Sequence, residues 1–179
     1  MPDVLLLLWL VGGGTAPPRY DIGRVARPEE IQASDISVLP TGAGLPPGHG
    51  TAREGKSLYA TLCATCHGAN GEGRDSYAAL VGGRGSLKDE EPRLTVGSYW
   101  PFATTIWDYI HRAMPYVAPG TLTPDQVYAL TAFLLHADGI IGEDTVMNER
   151  TLPLVKMPNR DGFVADPRPD TGPKKNPPR

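Results

Sequence analysis

Cysteine is scarce in this chain: two residues in 179, at positions 63 and 66. With both engaged in one short motif, no disulfide framework remains. A zinc site would have to recruit distant histidines, of which there are four. Long apolar runs are also missing. The stretch from Val4 to Val11 falls well short of the roughly 20 apolar residues that a membrane-spanning helix needs. Neither sign of charge dominates, with 17 basic and 20 acidic side chains, so there is no basic footprint for nucleic acid. What abounds is Gly (21) and Pro (19), more than a fifth of the chain. That approaches the composition of low-complexity chains and predicts much loop. The length suits one domain of ordinary size.

The two cysteines stand in Cys63-Ala64-Thr65-Cys66-His67, a C-x-x-C-H, the attachment signature of a c-type haem. Two thiols can add to the two vinyl groups of a porphyrin and become thioethers. The imidazole that follows falls under the iron as its proximal ligand. A thioredoxin-type redox pair would need a βαβ setting, and the sequence offers none. Covalent haem places a bacterial protein outside the cytoplasm. The apolar run and the small residues after it, Gly12 to Ala16, fit the later parts of a secretory signal. Asp3 stands where a basic residue would be usual, which a mis-assigned start codon would explain; the alternative is a disordered or loosely packed N-terminus.

The spacing divides the chain into a signal-like segment (1–16), an extended Pro/Gly-rich arm (17–50), a central domain (51–140), a wrapping extension (141–165) and a disordered tail (166–179). Within the arm, Pro28 favours one short turn over Glu29 to Ala33. In the central domain the pattern predicts three helices. The first runs from Thr51 to Cys63, with Thr51 and Glu54 at capping-box spacing and Leu58, Tyr59 and Leu62 on one face. Gly55, one turn before Tyr59, leaves room for another helix. The second spans Phe102 to Arg112, with Pro101 as its first residue and Ile106, Tyr109 and Ile110 inward. The third starts at Thr123 and Pro124, has Gln126 at the third position, and stops at Gly139. The stretch between Arg74 and Trp100 reads as irregular. In it, Arg84 is a candidate partner for a haem propionate, or a solvated loop arginine. Tyr99 and Trp100 are candidates to bury their rings on the porphyrin and donate to propionates, or to pack in an ordinary core.

The sixth position of the iron has several candidates: Met114, Met147, Met157, His49, His111 and His136. Met114 stands at a helix end before Pro115, where its sulfur is presented from a fixed loop. His111, one turn earlier, points the same way and is the main competitor. A thioether ligand raises the potential and suits an electron carrier.

Cys63 to Gly68, the Gly55/Tyr59 helix, Ala113-Met114-Pro115 and Ala132-Phe133-Leu134 together resemble class I cytochromes c. More narrowly, Thr95 to Pro101, Arg112 to Tyr116 and Lys156 to Phe163 resemble the SoxD-type cytochrome subunits of sulfane dehydrogenases, over about Tyr20 to Phe163. The resemblance implies an all-α class I cytochrome c fold, with about three main helices around one haem c and long irregular arms. It also implies a periplasmic electron-transfer subunit that is no enzyme on its own. Its partners would be a SoxC-like molybdenum-cofactor dehydrogenase subunit and a downstream cytochrome. The other reading is a free-standing electron carrier of a respiratory chain. A haem enzyme with its own substrate would need an open iron position, against which Met114 argues.

Overall fold

The computed structural model describes residue 20 and residues 22–168. The signal-like segment 1–16 and the tail beyond 168 lie outside the described residues. The chain divides into two units, Met1–Asp35 and Ile36–Arg179.

In the first unit, Pro28 fixes the backbone dihedral that opens helix α1 (Pro28–Ser34). Glu30 reaches back to the Arg27 N–H at 2.9 Å and pairs with Arg24. The Arg24 hydrogen bond, with help from Arg27, holds the Glu30 carboxyl down to about 2. No residue of α1 is buried, so local capping and ion pairs hold this short helix, not packing.

The second unit runs β1 (His49–Gly50), α2 (Ala52–Leu62), α3 (Ala64–His67), α4 (Val96–Tyr99), α5 (Ala103–Ala113), α6 (Pro124–Ala137) and β2 (Met147–Asn148). Its centre is α6. Thr123 accepts the Gln126 N–H, Gln126 returns the favour to the Thr123 N–H at 2.9 Å, and Pro124 occupies the first turn. Gly139, with φ of +66°, follows the C-cap. Between these stops lie eight buried residues, Val127 to Ala132 with Leu134 and Leu135. At about 1.5–3 kcal/mol per fully buried large aliphatic side chain, this helix supplies much of the stability.

Two helices pack on α6. Helix α2 crosses it at Gly55, where a Cβ would overlap the Ala129 carbonyl oxygen and stand 2.8 Å from Phe133 Cβ. The close crossing brings the Tyr59 and Phe133 rings to 4.6 Å. Helix α5 brings Trp107 to Tyr128 at 5.5 Å between centroids. The buried face of α5 adds Trp107 to Ile106 and Ile110, and Tyr109, 48% exposed, lines the cavity described below together with Ile106 and Ile110. One expectation is corrected: Pro101 lies outside the helix, because Phe102 is extended and serves as its N-cap.

Two further departures concern the irregular stretches. Thr95 and Ser98 form a capping box that starts the four-residue α4. In the C-terminal extension β2 pairs antiparallel with β1, Gly50 opposite Met147. Met147, Leu152 and Met157 are all at most 3% exposed, so this extension completes the core and is more than a surface wrap. The arm before β1 is tied in by hydrogen bonds that include Tyr128 Oη donating to Pro46 O at 2.9 Å, the Val38 N–H donating to Asp108 at 3.1 Å and Arg112 donating to Ile36 O at 3.4 Å.

Candidate functional site

The C-x-x-C-H motif sits where α2 gives way to α3. Cys63 leaves helical geometry (φ −120°, ψ −36°) and serves as C-cap of one helix and N-cap of the next. The single turn of α3 then sets Cys63, Cys66 and His67 on the wall of one cavity of about 390 Å³. Helices α5 and α6 contribute Ile106, Ile110, Leu130 and Leu134, the stretch before α4 contributes Leu80, Leu94 and Thr95, and Val96 comes from the start of α4.

His67 Nδ1 lies 3.2 Å from Ala78 O. A carbonyl only accepts, so that contact assigns the proton to Nδ1 and leaves the Nε2 lone pair for a metal, the arrangement of a ligating imidazole. Tyr59 Oη donates to Gly68 O at 3.0 Å, fixing the backbone just after His67. Burial, with the nearby Cys63 and Glu72, pushes the Tyr59 hydroxyl up to about 12, so it stays a donor at neutral pH. Burial, with Cys66 beside it, pushes the Cys63 thiol up to about 11. Thiol–disulfide catalysts instead hold a cysteine well below its usual value, so Cys63 is not poised as the nucleophile of such a pair.

Met114 is the C-cap of α5, its N–H bonded to Ile110 O at 3.0 Å and its backbone already extended (φ −121°, ψ 150°). The Met114–Pro115 peptide is cis. Its side chain lines the same cavity as His67. The competitors lie elsewhere. His111 stacks on Trp107 with centroids 4.8 Å apart. His111 and Met114 do not share a helix face, because the chain has left the helix by Met114. Met147 and Met157 are core residues, His136 Nδ1 sits 3.2 Å from Ile141 O, and His49 is exposed beside Asp125.

Of the three residues expected at the propionates, the structure brings one to the cavity. Trp100 lines it and meets the Tyr109 ring edge-on at 5.8 Å. Tyr99 is not on the wall. Its ring packs edge-on with Phe163 at 5.2 Å and its carbonyl accepts from Asn159. Arg84 is exposed and also off the wall; its charge acts on Asp138. Both match the alternatives that the sequence reading left open, a loop arginine and a ring packed against the protein. Residues that reading missed include Tyr77, Leu94 and Tyr116, which line the cavity and are at least half exposed, and the Ala78 carbonyl. A lone aromatic in a polar loop gives no periodic signal.

The wall suits a flat, largely apolar group with a metal at its centre. It offers two thiols, one imidazole with a free nitrogen and one thioether, and His67 is its only ionised-capable base. Among the described residues no cluster of His, Cys, Asp and Glu could hold a bare metal ion. The donor set therefore fits a covalent haem, with Cys63 and Cys66 as the attachment pair.

Comparison with known proteins agrees. Residues 52–138 match the cytochrome c family. Among solved structures, a chain of the sulfane dehydrogenase SoxCD from Paracoccus pantotrophus is 45% identical. That match covers 90% of this chain and 81% of that one, with a TM-score of 0.77. No curated protein matches.

Proposed function

The chain belongs to the cytochrome c family and carries covalent haem c, and we propose that it is the electron-transfer subunit of a sulfur-compound dehydrogenase. One observation carries this reading. The family region spans 52–138, but the likeness to the SoxCD chain covers 90% of the sequence, so it extends into the stretches that flank the cytochrome module. A free-standing carrier has little use for those stretches, while a docked subunit can lay them on a partner. By the same analogy the partner is a SoxC-like molybdenum-cofactor subunit in the periplasm, and the acceptor is a downstream cytochrome. No helix among the described residues is long and apolar enough to cross a membrane.

The bound haem would supply a one-electron couple. The rest falls to the chain. Cys63 and Cys66 would hold the porphyrin by thioethers. His67, oriented by Ala78 O, would ligate the iron through Nε2, and Met114 would ligate it through its sulfur. Leu80, Val96, Ile106, Leu130 and Leu134 line the cavity and would keep water from the metal. Both thiols are consumed by attachment, so no second redox site remains among the described residues. Sulfur oxidation removes electrons in pairs, so they have to leave the partner one at a time, and this chain alone should oxidise no sulfur compound. The test is to mix the purified holoprotein with a molybdenum-cofactor sulfur dehydrogenase of the same source and a sulfur substrate. Reduction that needs both, together with co-purification of the two proteins, supports the reading. No affinity between the proteins contradicts it and favours the free carrier, whereas reduction by substrate without the partner contradicts it and favours a haem enzyme.

A further inference from the structure

Asp138 ends helix α6 but does not line the cavity. Its carboxylate is turned into the protein instead. Oδ1 accepts the Gly82 N–H at 2.7 Å. Oδ2 is buried against Gly97 without a well-formed hydrogen bond, and a Cβ on Gly97 would overlap it and stand 2.7 Å from Asp138 Cβ. Burial raises the carboxyl above its ordinary range, although the Gly82 N–H, Arg84, the Gly97 N–H and Arg93 all favour its charged form. A helix stop needs none of this, since Gly139 already supplies the left-handed turn. Sequestering a carboxylate is costly, and one kept in such a place calls for a role.

That role is visible in what Gly82 holds. Thr95 Oγ1 donates to Gly82 O at 2.6 Å, and the Val96 N–H donates to Leu80 O at 3.1 Å. The two ends of the segment from Leu80 to Gly97 are thus laced together, and four residues of it, Leu80, Leu94, Thr95 and Val96, form one wall of the cavity. Asp138 is the side chain that fastens this laced segment to α6. We propose that Asp138 is a positioning residue for the haem pocket, holding the 80–97 wall closed against solvent through its bond to Gly82. The proposal rests on the haem reading above. The apolar shell of a metal site controls water access and hence the potential of the metal. Loosening this wall lets water in and favours ferric iron, which lowers the potential.

The test compares Asp138→Ala, Asp138→Asn and Gly97→Ala in the holoprotein, reading the midpoint potential and the amide exchange of Gly82 and Val96. Asn keeps an oxygen for the Gly82 N–H, so it should match wild type in both. Ala should lower the potential and lose protection at both amides. Gly97→Ala should do the same with Asp138 intact, because its methyl displaces the carboxylate; it decides the matter if Asp138→Ala does not fold. Two results overturn the proposal. One is a variant that loses only melting temperature while potential and exchange stay at wild type. The other is an Asn variant that shifts as Ala does, which would make the charge the agent. The exchange readout needs no haem couple, so it separates failure of this proposal from failure of the haem reading.

Discussion

Replacing Gly55 by Ala tests the helix crossing on which the cavity stands. An added Cβ would overlap Ala129 O and stand 2.6 Å from the Ala129 carbonyl carbon and 2.8 Å from Phe133 Cβ. Two of these three atoms belong to the backbone, so no rotamer change relieves the clash and the helices have to part. Overpacking by one carbon costs about 1–3 kcal/mol, and a backbone obstacle argues for the upper half of that range. Alanine repays about 0.8–1.0 kcal/mol in a helix interior. The net loss is about 1–2 kcal/mol. At about 2–4 °C per kcal/mol for a chain of this size, the melting temperature should fall by roughly 2–8 °C. The assay is thermal unfolding of the holoprotein followed by far-UV circular dichroism. Lys56→Ala, exposed on the same helix, is the control and should stay within about 0.5 kcal/mol. A Gly55→Ala protein as stable as wild type, or more so, would refute the close crossing and with it the placement of Tyr59 against Phe133.

Other perturbations address the attachment and the pH response. Cys63→Ser or Cys66→Ser should reduce or abolish mature holoprotein, and wild-type haem should survive denaturing electrophoresis; haem that extracts into acid acetone would rule out two thioethers. Glu54 accepts from the Thr51 N–H and Oγ1, both at 2.8 Å, and the Thr51 hydroxyl holds its carboxyl below the usual range. Its capping contribution is therefore present above the unfolded value of about 4.3 and lost as pH falls toward the folded one. Denaturant midpoints of wild type and Glu54→Ala should differ at pH 7 and converge on acidification below about 4; a gap that stays constant down to pH 3 would show that the carboxylate is not the cap.

The haem motif was legible because covalent chemistry dictates residue type and spacing with no help from the fold. Helix α6 was legible because Thr123, Pro124, Gln126 and Gly139 each act locally. Long-range features were not. The pairing of Gly50 with Met147 joins two-residue strands nearly a hundred positions apart, and nothing in either tells of the other. Tyr99 and Trp100 look equivalent as a sequence, but α4 ends between them, and only Trp100 reaches the cavity. Asp138 reads as an ordinary helix-end polar residue until Gly82 and Gly97 are seen closing on it.

The most direct measurement is the near-infrared edge of the visible spectrum of the oxidised holoprotein, where sulfur-to-iron charge transfer absorbs. The account predicts that wild type shows this band, that Met114→Ala abolishes it and lowers the potential, and that His111→Ala leaves it in place. A wild-type protein without the band, whose spectrum changes in His111→Ala and not in Met114→Ala, would contradict the site as described.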